Sequence, residues 1–211
     1  LAATLCPGAS RRRAGVFAGQ ACTRRWPSDV RQSVADKRLL SIWDGWCGVA
    51  ISRRLSGCGV SRTAGAARAR ACDDLVPSVH GVDELPSLLP EQDVVILILP
   101  LTDATEGLVD REFLASMPDG SLLVNVSRGK VVDASALVEA AASGRIRAAL
   151  DVTDPEPLPH DHPLWKTPGI LISPHVGGAS SAFAPRAVAL LREQIASFAA
   201  DRPLRNVVNA H

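Results

Sequence analysis

Two continuous apolar runs constrain the fold of this chain more than any other feature of its sequence. Residues 93–100 read Asp-Val-Val-Ile-Leu-Ile-Leu-Pro, and residues 121–127 read Ser-Leu-Leu-Val-Asn-Val-Ser. A run without polar and apolar alternation is typical of a strand that is buried on both faces, as in a parallel sheet covered by helices. Residues 147–152 and 170–174 predict two further strands of the same kind.

Helical patterns alternate with these strands. A short helix is predicted around 110–117, and Asp133 can cap a helix over 134–143 that ends at Gly144. Helical spacing of apolar residues predicts a long last helix over about 181–200. The signals near the start are weaker, with a strand at 39–43, a helix at 49–55 and a strand at 59–63. This alternation predicts an α/β fold, a Rossmann-like doubly wound parallel sheet.

Charge and cysteine usage narrow the possible partners and compartment. The net charge is +1, which gives no case for a nucleic-acid or membrane partner. The average hides a split, since residues 1–72 carry a net +10 and residues 73–211 a net −9. All five cysteines lie in the first 72 residues. An odd number without a pairing pattern argues against a disulfide framework and favours a reducing, cytoplasmic compartment. No apolar run is long enough to span a membrane.

A degenerate glycine motif follows the first predicted strand. The stretch Trp43-Asp44-Gly45-Trp46-Cys47-Gly48 has the second and third glycines of the dinucleotide fingerprint, but Trp43 occupies the position of the first. A bulky residue there is expected to disturb the tight turn. At the end of the next predicted strand, Arg62 replaces the usual ribose-binding carboxylate. Arg62 is therefore either a contact to a 2′-phosphate or an exposed surface arginine.

Polar clusters follow four of the predicted strands. They lie at 100–102, 125–129, 151–157 and 174–178. The carboxyl ends of parallel strands meet at one edge of a sheet, and that edge faces the ligand crevice of open α/β folds. We therefore expect these clusters to form one site.

The run from about residue 82 to residue 208 resembles the D-isomer-specific 2-hydroxyacid dehydrogenase family. The matching text includes Leu99-Pro-Leu-Thr, Val124-Asn-Val-Ser-Arg-Gly-Lys-Val-Val-Asp133 and Ser173-Pro-His-Val-Gly-Gly178. Residues 38–55 are similar to the family's nucleotide loop more weakly. The resemblance implies hydride transfer between NAD or NADP and a small 2-hydroxy or 2-oxo acid.

The resemblance also implies roles for individual residues. Arg128 would bind the substrate carboxylate through its planar fork of donors. His175 would exchange a proton with the substrate oxygen, which imidazole does readily near neutral pH. Glu156 would orient His175 and stabilise its charged form. The residues expected to contact the cofactor are Gly45, Trp46, Cys47, Gly48, Arg62, Pro100, Val126, Ser127, Arg128, Asp151, His175, Gly177 and Gly178.

The sequence pattern and the resemblance together predict three parts of the chain. Residues 1–37 are expected to be divergent and partly irregular, 38–180 to form the dinucleotide-binding domain, and 181–211 to form a C-terminal helix and tail. The family's N-terminal substrate domain is expected to be missing, which would leave Leu190, Leu191 and Phe198 of the last helix exposed. The family's usual homodimer is a plausible assembly for this chain.

Other functions remain open at this point. A non-catalytic dinucleotide-binding module or an inactive fragment is the alternative to an enzyme, and Trp43 is the feature that favours it. Another Rossmann enzyme is disfavoured by the order of Arg128, Glu156 and His175. His160 and His162 with His175 suggest a metal site, but the family pattern explains residues 161–165 as a structural loop, so no metal is expected.

Overall fold

The computed structural model describes residues 34–43, 46–66, 78–205 and 207. The chain divides into two compact units, Leu1–His175 and Val176–His211. The division lies five residues before the expected boundary between 180 and 181, so Val176, Gly177 and Gly178 belong to the second unit. Residues 1–33, most of the expected irregular segment, lie outside the described residues.

A seven-stranded parallel sheet forms the first unit. Its strand order is β3-β2-β1-β4-β5-β6-β7, and every neighbouring pair is parallel. The order runs outward in both directions from β1 and β4, as in a doubly wound fold, so the predicted fold class is confirmed. The strands are β1 (Arg38–Trp43), β2 (Ser61–Ala66), β3 (Val79–His80), β4 (Val94–Ile98), β5 (Ser121–Asn125), β6 (Ile146–Leu150) and β7 (Ile170–Ile172).

Two of the helices begin at an aspartate that caps their first turn. The Asp133 carboxylate accepts hydrogen bonds from the backbone N–H groups of Ser135 and Ala136 at 2.8 and 3.1 Å. Asp110 accepts one from the Phe113 N–H at 2.8 Å. Both caps satisfy donors that have no partner within the helix. The helices are α1 (Trp46–Leu55), α2 (Leu85–Leu88), α3 (Arg111–Ser116), α4 (Ala134–Ala142) and α5 (Phe183–Ala199).

The two central strands are buried on both faces, as their apolar runs predict. All five residues of β4 and of β5 are buried. Within β4, Val95 and Leu97 belong to one apolar cluster. Val94, Ile96 and Ile98 belong to a second one on the other face. Successive side chains of a strand point to opposite faces, so a strand that contributes to two cores has no polar position.

The first third of the chain departs from the expected boundaries. Helix α1 begins at Trp46 rather than at residue 49. Strand β2 covers Ser61–Ala66 rather than 59–63. Gly59 ends a short 3-10 turn with a left-handed φ of 68°, so it terminates a helical segment and does not start the strand. Arg62 is therefore the second residue of β2, where it pairs with Leu39, and not the last.

The second unit contains helix α5. Its apolar side chains are exposed, and Phe198 is the most exposed at 77%. The expectation that Leu190, Leu191 and Phe198 are exposed is confirmed. Among the described residues, no helix is long and apolar enough to cross a membrane.

Candidate active site

The carboxyl ends of β5, β6 and β7 lie side by side. Asn125 is in register with Leu150, and Leu150 is in register with Ile172. Beyond the strands, the Asp151 N–H donates to the Asn125 carbonyl at 2.9 Å and the Ser173 N–H donates to the Leu150 carbonyl at 2.8 Å. Three of the predicted polar clusters therefore follow neighbouring strand ends on one edge of the sheet.

Glu156 and His175 form an ion pair at this edge. The His175 Nδ1 lies 2.6 Å from the Glu156 Oε1. Half of the His175 side chain is exposed, and within the described residues its Nε2 has no protein partner. With Nδ1 directed at a carboxylate, Nε2 is the ring nitrogen that remains for a ligand.

The backbone of His175 is constrained. Its φ is 51°, in the left-handed region that histidine adopts more readily than bulky residues. The His175 N–H donates to the Ser173 carbonyl at 3.0 Å, which closes a tight turn around Pro174. Unusual backbone angles of this kind concentrate at functional sites.

Asp151 is held by a neighbouring serine. The Ser173 hydroxyl donates a hydrogen bond to the Asp151 Oδ1. These groups share a cavity of about 250 Å³ with the ion pair. Its polar lining is Asp151, Thr153, Glu156, Ser173 and His175, and its apolar lining is Pro157, Leu158, Trp165, Ile172 and Pro174.

The loop after β5 carries Arg128 and is fixed by Asn125, whose side chain is buried. The Asn125 Oδ1 accepts from the Ser127 N–H and hydroxyl at 3.0 and 2.7 Å, and its Nδ2 donates to the Arg128 carbonyl at 2.9 Å. The exposed Arg128 donates from Nη1 to the Ser127 carbonyl at 2.7 Å. Its other donors have no protein acceptor in the described part of the chain. They remain for an anionic ligand.

Gly129 brings this loop against the loop after β6. A Cβ at Gly129 would overlap the Thr153 carbonyl and lie 2.6 Å from the Asp154 backbone nitrogen. The absence of a side chain therefore permits the close contact between the two backbones. Arg128 and Glu156 stand on loops that this contact holds together.

The cluster after β4 is a compact turn. The Thr105 hydroxyl donates to the Pro100 carbonyl at 2.7 Å, and the Thr102 N–H donates to the Thr105 Oγ1 at 2.8 Å. Pro100 is exposed directly beyond the strand. A small rigid turn at this position leaves the strand end accessible to a ligand.

The predicted nucleotide stretch, residues 43–48, spans the end of β1 and the start of α1. Strand β1 ends at Trp43 and α1 begins at Trp46, so a strand precedes the stretch and a helix follows it, as the fingerprint requires. Gly45 lies outside the described residues, while Gly48 is buried and Cys47 is exposed. The first turn of α1 carries no acidic residue. The start of this helix therefore suits a phosphate, which the N–H groups and dipole of a helix attract.

The sequence predicted most residues of this edge, but it did not predict the hydrogen bonds by which Asn125 and Ser173 hold them. It placed Arg128, Glu156, His175 and Asp151 at strand ends, and the structure brings the last three to one cavity. Arg128 does not line that cavity, although its loop is adjacent. The supporting roles of Asn125 and Ser173 depend on contacts across neighbouring strands, and only the polarity of Asn125 in an apolar run signalled one of them.

The structure also bears on the predictions for Arg62 and for residues 161–165. The strand-end argument for Arg62 was wrong, because β2 continues four residues beyond it to Ala66. The loop reading of residues 161–165 agrees with the structure, since the His162 Nδ1 accepts from the Leu164 N–H at 3.2 Å and caps the 3-10 helix Pro163–Trp165. Across the described residues, no group of three or more His, Cys, Asp and Glu side chains is placed to hold a metal ion.

A doubly wound parallel sheet with a helix start at its switch point and polar loops at its carboxyl edge defines a dinucleotide-binding domain. The family model for the NAD-binding domain of D-isomer specific 2-hydroxyacid dehydrogenases matches residues 8–177. The chain belongs to this family.

Known relatives agree with the assignment. The human glyoxylate reductase/hydroxypyruvate reductase is 39% identical over 137 residues, which are 64% of this chain and 42% of that protein. Glyoxylate/hydroxypyruvate reductase B of Serratia proteamaculans is 45% identical over 98 residues, 46% of this chain and 30% of that protein. The chain thus spans less than half the length of these relatives.

Solved structures give the same result. A D-isomer specific 2-hydroxyacid dehydrogenase from Xanthobacter autotrophicus Py2, in complex with NADPH and MES, superposes with a TM-score of 0.78. It is 35% identical, and the match covers 88% of this chain and 76% of that one. A probable 2-hydroxyacid dehydrogenase from Rhizobium etli CFN 42, in complex with NADP, HEPES and tartaric acid, superposes with a TM-score of 0.77 at 27% identity, over 87% of this chain and 59% of that one.

Proposed function

We propose that this chain provides the cofactor-binding and proton-transfer part of an oxidoreductase that moves a hydride between NAD or NADP and a small 2-hydroxy or 2-oxo acid. The observation that carries the proposal is the 2.6 Å pair of Glu156 and His175 at the carboxyl edge of the family's sheet. Glyoxylate and hydroxypyruvate are the first substrates to test, because the relatives named above are reductases of these two acids.

His175 is the proposed proton donor to the substrate carbonyl oxygen during reduction. Its Nε2 is the ring nitrogen without a protein partner among the described residues, while Nδ1 is engaged by Glu156. Glu156 fixes the ring orientation and stabilises the positive charge that the donor form carries. In the oxidative direction the same nitrogen takes the proton from the hydroxyl group.

Arg128 is the proposed anchor of the substrate carboxylate. A planar guanidinium binds a carboxylate with two parallel hydrogen bonds. In the described structure only one N–H group of the Arg128 side chain is engaged, by the Ser127 carbonyl, so the others remain for that purpose. The buried Asn125 keeps the loop in place through three hydrogen bonds to Ser127 and Arg128. Binding at this point would set the carbonyl toward His175.

The carboxyl edge of the sheet is the proposed cofactor site. The start of α1, with Gly45, Trp46, Cys47 and Gly48, would hold the pyrophosphate. Pro100, Val126, Ser127 and Asp151 would contact the rest, with Arg128 and His175 beside the nicotinamide. The nicotinamide ring would supply or accept the hydride. Either phosphorylation state is compatible, since relatives were solved with NADPH, with NADP and with NAD.

Substitution of the pair tests this function in the protein that contains this chain. We expect His175→Ala to lower the rate of glyoxylate or hydroxypyruvate reduction at least about a hundredfold, the usual contribution of a positioned proton donor. Glu156→Gln should lower it by about tenfold or more, because a neutral amide does not stabilise the charged ring. His160→Ala, a histidine outside the cavity lining, is the matched control and should keep the parent rate. An unchanged rate in His175→Ala contradicts the proposed role.

A non-catalytic dinucleotide-binding module is the second candidate function. Trp43 favours it, because this residue ends β1 at the position where the dinucleotide fingerprint has its first glycine. Calorimetric titration with NADH and NADPH distinguishes the two functions. Binding with turnover of a 2-oxo acid supports the enzyme, and binding without turnover supports the module.

We propose in addition that the protein works in the cytoplasm, without a nucleic-acid or membrane partner, and that it forms a homodimer. The net charge of +1 and the two free, exposed cysteines of the described residues, Cys47 and Cys58, support the first two points. Light scattering coupled to size exclusion measures the assembly, and a monomer at micromolar concentration contradicts the homodimer.

A further inference from the structure

Ser173 makes three hydrogen bonds that join the two halves of the candidate site. Its N–H donates to the Leu150 carbonyl at 2.8 Å, which continues the pairing of β6 with β7. Its hydroxyl donates to the Asp151 carboxylate, and its carbonyl accepts from the His175 N–H at 3.0 Å. One residue therefore fixes the carboxylate after β6 and the imidazole-bearing turn after β7.

We propose that Ser173 is a positioning residue, whose hydroxyl holds the Asp151 carboxylate against the nicotinamide end of the cofactor while its carbonyl holds His175. The inference rests on the proposed function and deepens it. In this proposal Ser173 acts through the two residues to which it is bonded, Asp151 and His175.

Carbonyl reduction requires the nicotinamide to bind close to the proton donor. The proton goes to the carbonyl oxygen and the hydride to the carbon bonded to it, so the proton donor and the nicotinamide must stand within a few ångströms of one another. His175 and Asp151 line the same cavity. The Asp151 carboxylate is therefore placed to accept hydrogen bonds from the amide of a nicotinamide that would bind beside His175.

The Ser173 hydroxyl restricts the position of that carboxylate. Asp151 is half-buried at the strand end, and a hydrogen bond from the Ser173 hydroxyl favours the rotamer in which Oδ1 faces Ser173. A hydrogen bond to a charged acceptor is stronger than one between neutral groups. Loss of the hydroxyl should therefore weaken contacts to the nicotinamide while contacts to the adenosine and pyrophosphate remain.

The experiment compares two ligands that differ at the nicotinamide. Dissociation constants of the full chain are measured by calorimetry for NADH and for ADP-ribose, or for NADPH and 2′-phospho-ADP-ribose if the phosphorylated cofactor binds better. The variants are Ser173→Ala, Ser173→Thr, Asp151→Ala and the double variant Ser173→Ala/Asp151→Ala. Ser143→Ala removes a hydroxyl that bonds the Ala140 carbonyl at a helix end, and it serves as the control.

We expect Ser173→Ala to bind the reduced dinucleotide about tenfold more weakly and ADP-ribose with unchanged affinity. Ser173→Thr, which keeps the hydroxyl, should restore most of the affinity. In the Asp151→Ala background the Ser173→Ala change should have no further effect, because a residue that acts through Asp151 gives a non-additive double variant.

Three results overturn the inference. Equal weakening of both ligands would show a general effect on the fold, and additive effects in the double variant would show that Ser173 does not act through Asp151. Unchanged binding of the dinucleotide by Ser173→Ala would show that the hydroxyl positions nothing. If the parent chain binds neither ligand, the proposed function fails together with the inference, whereas the first three results leave the proposed function intact.

Discussion

At the scale of single residues, Gly129 determines how closely the loops that carry Arg128 and Glu156 approach. The backbone of Thr153 and Asp154 occupies the space where a side chain at 129 would lie. The position therefore requires glycine for lack of room, without a left-handed backbone angle. The spacing between Arg128, the proposed anchor of the substrate carboxylate, and Glu156, the partner of the proposed proton donor, depends on this contact.

Gly129→Ala should lower the free energy of unfolding by about 1–3 kcal/mol or more, since an added methyl group must displace backbone atoms rather than a flexible side chain. Urea unfolding followed by circular dichroism measures the change. Gly57→Ala is the matched control, because a Cβ at Gly57 meets no atom within 4 Å. Equal stabilities of the two variants would contradict the close contact.

At the scale of elements, an exposed ion pair links α3 to α4. The Arg111 Nη1 lies 2.5 Å from the Glu139 Oε2. The hydrogen bond from Arg111, followed by its charge, lowers the pKa of Glu139 below its ordinary value. Since the pKa is lower in the folded chain than in the unfolded one, protonation favours unfolding. The pair therefore contributes stability above the ordinary glutamate range and loses it as the pH falls.

Glu139→Gln should make stability less dependent on pH. The parent chain should be more stable than the variant at neutral pH, and the difference should shrink as the pH falls below about 4, through the lowered pKa. Unfolding curves at several pH values measure it. The control is Glu112→Gln on α3, and a difference that grows toward acid pH would contradict the sign.

Element by element, the sequence predicts strands that are buried on both faces better than it predicts the first third of the chain. The runs that become β4 and β5 show no alternation of polar and apolar residues, so their strands are recognised without a choice between a polar and an apolar face. Asp133 and Gly144 likewise mark the two ends of α4. The start of β2 is less certain from sequence, because Gly59 can end a helical turn or begin a loop before a strand. Because of that ambiguity the strand was predicted too early in the chain, and Arg62 was assigned to its end although it is the second residue of β2.

In the candidate site too, local motifs could be predicted from the sequence and contacts between distant residues could not. Arg128, Glu156 and His175 could be named because each lies in a distinctive local motif, and strand ends place such motifs on one edge. The contact between Ser173 and Asp151 could not be named, since the residues are 22 positions apart and meet only through the register of β6 and β7. The contact between Gly129 and Thr153 is equally non-local, because it depends on how two loops pack.

At the scale of the whole molecule, the second unit presents an apolar helix to solvent. Helix α5 has no buried residue, and Leu191, Ile195 and Phe198 are each at least 60% exposed. A contiguous apolar surface of this kind lowers the solubility of a chain, because burying it in aggregates removes it from water.

The triple variant Leu191→Gln/Ile195→Gln/Phe198→Gln should stay dispersed at concentrations several-fold higher than the parent chain. Static light scattering over a concentration series measures this. The control, Ala196→Gln/Ala199→Gln, adds amides to the same helix while it removes little apolar surface. A control that disperses the chain as well as the triple variant would show that apolar area is not the cause.

Strand β7 is the shortest of the three strands whose ends carry the candidate site. It has three residues, stands at the end of the strand order and pairs with β6. The turn that bears His175 leaves directly from it, so a brief opening of three residue pairs separates the histidine from Glu156 and Ser173 from Asp151. Such an opening costs far less than unfolding of the central strands. On heating, the proposed activity of this edge should therefore be lost at a lower temperature than the fold, and it should recover on cooling while the rest of the sheet is still intact.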